Sequence, residues 1–128
     1  MMSNAVQSSS TGFGISVREL NAETGIVAIE GDLDLSTAPR LKWVLVDLLE
    51  SAHTRLVVDL SMASFMDSTA LGVLLAVKRR VASDAGLAIV CTAPNVLKIF
   101  ELAGVDGAFA IFPELDRALA CLQGPAPS

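Results

Sequence analysis

Ser64-Phe65-Met66-Asp67-Ser68-Thr69-Ala70-Leu71-Gly72-Val73-Leu74-Leu75 is the stretch on which the reading of the fold turns. Just before it, Leu56-Val57-Val58 is a short aliphatic run between charged residues, as expected of a central strand covered on both faces. Within it the pattern becomes helical, and a long helix is predicted from about Ser68 to Ala85. Asp67 or Ser68 then falls at or beside the helix N-cap. The backbone N–H groups there lack intrahelical partners, and the helix dipole favours negative charge. A hydroxyl in that place stands at the end of a strand, where α/β proteins usually put their sites. It can carry a phosphate. By these residues alone, Asp67, Ser68 and Thr69 serve equally well as an ordinary helix cap.

Working outward, Phe13, Ile15 and Val17 alternate with Gly14, Ser16 and Arg18, which predicts a half-buried strand. Turn residues at Asn21 to Gly25 lead into a second strand, Ile26 to Glu30, so the two form an antiparallel hairpin. Leu41, Val44, Leu45, Leu48 and Leu49 then share one helical face. Ser36 or Thr37 can cap that helix, with Pro39 tolerated in its first turn. Beyond the long helix, Leu87 to Cys91 reads as a buried strand. Pro94 to Ala103 reads as a short helix closed by Gly104. Ala108 to Phe112 is a last strand. Pro113 opens a final helix with Leu115, Ala118, Leu119 and Leu122 inward. The order β-β-α-β-α-β-α-β-α predicts an α/β fold, a mixed sheet of about five strands covered by about four helices.

The chain has 128 residues, 52% of them hydrophobic, enough for one domain with its own core. The ends read as tails: residues 1–12 as a disordered N-terminal segment and 124–128 as a C-terminal one, with the domain at 13–123. A net charge of −5 argues against direct nucleic-acid binding, which needs a basic face. No apolar run is long enough to insert in a membrane. Residues 1–12 lack the regions of a secretion signal, so a cytoplasmic protein is expected. Cys91 and Cys121 are too few for a disulfide framework and read as free thiols. With a single histidine, His53, there is no candidate metal site and no cofactor is expected. Ser68 lacks the flanking glycines of a hydrolase nucleophile elbow, and His53 reads as a solvated loop residue. Catalysis is therefore not expected.

Three segments resemble one known family. Gly31-Asp32-Leu33-Asp34 resembles the G-E/D-L-D at the end of its second strand. Phe65-Met66-Asp67-Ser68-Thr69, followed by Leu71-Gly72, resembles its F-x-D-S-S/T-G-L-G phosphorylation motif. Pro94-Asn95-Val96 through Phe100 to Gly104 resembles its P-x-V-x-x-x-F/L-x-x-x-G helix. Together they look like a STAS domain, specifically a small bacterial anti-sigma-factor antagonist, over roughly Phe13 to Leu122.

The resemblance implies that Ser68 is the phosphorylated residue, with Thr69 the second candidate. It implies a partner surface made of Asp34, Asp67, Ser68, Thr69, Ala70 and Val73. The implied partners are an anti-sigma factor with serine kinase activity, which brings the ATP, and a phosphatase. The unphosphorylated chain would bind the anti-sigma factor and free a sigma factor; phosphorylation would end that interaction. The alternative role is a non-catalytic STAS adaptor in a lipid-transport or larger signalling complex. The chain departs from the family pattern at Ala70, where glycine is usual. Alanine suits a helix first turn. Its methyl group bears on how closely a kinase can approach the backbone, and so on the rate of phosphorylation. On the long helix, Leu71, Leu74 and Leu75 are expected to face the core. Val73 and Val77 lie off that face and are either covered by neighbours or offered to a partner. Trp43 lies off the core stripe of the first helix and is expected to be partly exposed.

Overall fold

The structure is a computed structural model that describes residues 12–81 and 86–122. Its elements follow the expected order: β1 (Gly14–Glu19), β2 (Thr24–Leu33), α1 (Ala38–Glu50), β3 (Arg55–Met66), α2 (Ser68–Arg80), β4 (Leu87–Val90), α3 (Pro94–Leu102), β5 (Ala110–Phe112) and α4 (Leu115–Leu122). A 3-10 turn over Asp106–Ala108, which the apolar pattern did not announce, precedes β5. The two predicted tails lie outside the described residues apart from Gly12, as does the part of the expected long helix beyond residue 81.

The strands lie in chain order, β1-β2-β3-β4-β5. β1 pairs antiparallel with β2, and every later pair is parallel. This order has a direct consequence. Crossovers between parallel strands are right-handed, so three that step the same way across the sheet put their helices on the same face. Accordingly α1, α2 and α3 bury Leu41, Leu45, Leu71, Leu74, Val96 and Phe100 in one large core with Val27, Ile29, Val58 and Ile89. Among the described residues only α4 covers the other face, where Ala118 and Leu122 meet Ile26, Val57, Ala88 and Val90. Consecutive residues of β3 and β4 thus alternate between two cores, which is why both read as unbroken apolar runs. Asn21 shapes the β1–β2 turn by accepting N–H bonds from Glu23 and Thr24, each at 2.9 Å.

Several expectations need correction. β2 and β3 are longer than predicted. The reason is two register shifts between them, each placing one extra residue in β3. These bulges break the two-residue alternation. Over Leu60, Ala63 and Met66 the buried positions recur every third residue, which no strand pattern matches. α2 ends at Arg80, and Val81 is already extended (ψ 147°). Val77 is fully buried and Val73 is half-buried against the large core, so α2 is apolar on several sides because α1 and α3 flank it. Leu75, half-buried, packs against the same core as expected. His53 is buried, not solvated. Its Nδ1 lies 3.2 Å from the Leu48 carbonyl oxygen, and its Nε2 lies 3.3 Å from the Glu19 carboxylate without the alignment of a hydrogen bond.

Cys91 and Cys121 are both free thiols, Cys91 buried and Cys121 half-buried. Burial pushes the Cys91 thiol above its ordinary pKa. Since the thiolate is the reactive form, a thiol reagent at neutral pH is expected to label Cys121 well ahead of Cys91. Equal rates in the folded protein, or ready loss of both thiols to one intramolecular disulfide on mild oxidation, would contradict this.

Candidate functional site at the start of α2

Two strand ends build the site. Leu33, the last residue of β2, pairs with Met66, the last of β3. One residue on, the Asp67 N–H donates to the Leu33 carbonyl at 3.1 Å. Asp34 and Asp67 therefore leave the sheet at the same end, one entering α1 and the other α2. Asp67 is the N-cap residue of α2, with an extended backbone. Its Oδ1 accepts the N–H groups of Thr69 (2.9 Å) and Ala70 (3.1 Å). Removing this carboxylate strips two helix-end donors of their partner. Asp67→Ala should cost about 1 kcal/mol of stability, read as a lower urea midpoint at unchanged m-value. An unmoved midpoint would mean that water satisfies these donors equally well.

Asp34 organises the β2–α1 turn. Its Oδ1 accepts from the Ser36 hydroxyl (2.7 Å), the Ser36 N–H (3.0 Å) and the Thr37 N–H (3.3 Å). Its own N–H donates to Thr37 Oγ1 at 2.8 Å. The Ser36 hydroxyl, helped by the backbone N–H groups of Ser36 and Thr37, holds the Asp34 carboxyl below its ordinary pKa. Thr37 is the N-cap of α1 by position, but its hydroxyl donates backwards to Asp32 O at 2.9 Å. The expected capping by Ser36 or Thr37 is thus replaced by a turn centred on Asp34.

Ser68 and Thr69 are exposed in the first turn of α2, and the Ser68 hydroxyl makes no hydrogen bond among the described residues. Ala70 is fully buried. Its methyl group packs in the large core rather than on the surface. Three contributors were not legible in the sequence. Leu35 and Phe65 expose 72% and 45% of their surface next to Asp34 and Met66, giving this end of the sheet an apolar rim. Asn95 reaches from the first turn of α3 to donate to the Ser64 carbonyl at 2.8 Å. β4 pairs with β3 only as far as Asp59, so carbonyls beyond it need other partners. No local pattern announces such a contact.

The site does not assemble a hydrolase. His53 precedes β3 and Ser68 follows it, so the 12-residue strand separates them, by roughly 30 to 40 Å at the usual rise. Among the described residues no group of His, Cys, Asp and Glu side chains could hold a metal ion, and no helix is long and apolar enough to cross a membrane. The arrangement is a free hydroxyl on a helix N-terminus, set beside a capping carboxylate and an apolar rim. Fold and site together define a small α/β module with an exposed hydroxyl at a helix N-terminus.

The comparisons with known proteins place that module. The STAS domain family model matches residues 16–118, and the chain belongs to the STAS domain family. It is 28% identical over 99 residues to the anti-sigma-F factor antagonist RsfB of Mycobacterium tuberculosis, covering 77% of this chain and 81% of that one. It is 30% identical over 80 residues to an anti-sigma-B factor antagonist of Staphylococcus epidermidis, covering 62% of this chain and 74% of that one. An anti-sigma factor antagonist from Mycobacterium paratuberculosis superposes with a TM-score of 0.80 at 27% identity, over 87% of this chain and 94% of that chain. SpoIIAA in its unphosphorylated form shares the fold with a TM-score of 0.76 at 21% identity, over 89% of this chain and all of that one. By name, the relatives that this chain resembles in sequence are antagonists of anti-sigma factors.

Proposed function

We propose that this chain is an anti-sigma factor antagonist working by partner switching in the cytoplasm. Unphosphorylated, it binds an anti-sigma factor and frees a sigma factor. The anti-sigma factor, acting as a serine kinase with its own ATP, phosphorylates Ser68 and ends the interaction. A phosphatase restores it. One observation carries this reading: Ser68 is the exposed, unbonded hydroxyl at the N-terminus of α2, in the segment that resembles the phosphorylation motif. The partner surface on this reading comprises Asp34, Asp67, Ser68, Thr69 and the exposed edge of Val73, with Leu35 and Phe65 as apolar rim.

The electrostatics support a switch. The N–H groups of Thr69 and Ala70, which would otherwise welcome an anion, are already occupied by Asp67. A phosphate on Ser68 adds about −1.5 to −2 charges near neutral pH beside a carboxylate that keeps those donors. The surface turns from mildly to strongly anionic without disturbing the core. The test is incubation of the purified chain with ATP and anti-sigma factors of the kinase type, followed by mass mapping and pull-down. Phosphate on Ser68 and capture of the unmodified chain are expected. Capture by none of them, with no phosphate taken up, would return the chain to the adaptor role.

A further inference from the structure

α1 buries Ala38, Leu41, Leu45 and Leu48 on its inner face. Its outer face should then be polar. Instead Pro39, Trp43 and Val46 lie there with Lys42 and Glu50, lining a shallow groove of ≈ 380 Å³. Trp43, the chain's single tryptophan, is 76% exposed, as the sequence led one to expect. A tryptophan left in water forgoes a large gain in burial, so the arrangement of its neighbours matters.

Lys42, Val46 and Glu50 are four residues apart and form one ridge along the helix. The ridge is cationic at one end, anionic at the other and apolar at its centre. Turned through a two-fold axis at Val46, it reads Glu50–Val46–Lys42. Lys42 then meets Glu50 of a second copy and Glu50 meets its Lys42, both at once, since the two charges are equally spaced from the axis. Such ridges seat beside one another when identical helices cross at about −50°, the commonest packing class. A parallel arrangement would set like charges together. Neither charge is already committed to a partner among the described residues. We propose that this face of α1 is a self-complementary interface that pairs two copies of the chain antiparallel about a two-fold axis, with Trp43 as its apolar anchor.

One helix face offers less area than a standard interface, so association is weak and reversible, with a Kd on the order of 10 to 100 μM. Sedimentation velocity and Trp43 emission of the whole chain, followed at low salt from about 5 to about 500 μM to bracket that range, test the proposal. The mass is expected to rise from one copy toward two while the emission maximum moves to the blue over the same range. Lys42→Glu, an exposed change that leaves the core alone, sets carboxylates against carboxylates and should weaken association about ten-fold or more. Lys42→Glu with Glu50→Lys reverses the pattern and should restore it. A chain that stays single with unshifted emission at the highest concentration overturns the proposal. So does a dimer indifferent to Lys42→Glu, or a double variant that fails to recover.

Discussion

A chain carrying Ser68→Ala is expected to bind its anti-sigma factor at close to full affinity and to accept no phosphate from it. The phosphorylated wild-type chain should bind about a hundred-fold more weakly, a difference of about 2.7 kcal/mol. The size follows from the site. Ser68 is exposed beside Asp67, and Asp34 leaves the same end of the sheet. A partner fitted to a neutral hydroxyl must desolvate a dianion set beside the Asp67 carboxylate. One poorly paired charge at an interface supplies that loss. The fold should survive, because the helix dipole tolerates negative charge at its N-terminus. Ser68→Asp should reproduce the off state incompletely, having less charge and fewer acceptors. Isothermal titration of the modified and unmodified chains against one partner gives the ratio directly. Equal affinities would refute the switch; phosphate appearing on Ser68→Ala would move the site to Thr69.

The second large effect concerns Gly31→Ala. Gly31 has a φ of +96°, and a Cβ there would run into the backbone carbonyl of Gly12. The positive φ alone costs an L-residue about 1–2 kcal/mol. The overlap is with backbone, which cannot rotate aside, and forced displacement adds about 1–3 kcal/mol. A loss of about 3 kcal/mol is expected, lowering the Tm by roughly 10 °C for a chain of this size. Gly31 lies between the two register shifts that lengthen β3 against β2. The displacement should therefore reach Leu33 and Asp34, and Gly31→Ala should weaken partner binding even well below its Tm. A Tm within about 2 °C of wild type would show that the segment before β1 moves aside freely, at a cost under 1 kcal/mol.

The element order, the hairpin and the helix opening at Ser68 were legible in the sequence because each rests on local chemistry. Alternation in Phe13–Val17 follows from the pleat of a strand, and the Leu41–Leu45–Leu48 spacing from the turn of a helix. Asp67 caps α2 because its carboxylate reaches N–H groups two and three residues on. Pro94 and Gly104 bracket α3 for equally local reasons of backbone geometry. Partners within about four residues are enough to decide such features; the choice of Ser68 as the phosphorylated residue came instead from the resemblance of its segment to a family motif.

Only the tertiary structure decided the rest. His53 is buried because the end of α1 and β1 close over it, residues up to 34 positions apart. Val77 is covered because α1 and α3 flank α2, and the Ala70 methyl turns inward for the same reason. β3 outruns its predicted length because β2 tolerates two extra residues opposite it. The sequence alone determined which residues form strands and helices and which hydroxyl opens α2. Packing between distant segments determined which side chains remain on the surface, because burial depends on what other elements bring to a position, and no local period encodes that.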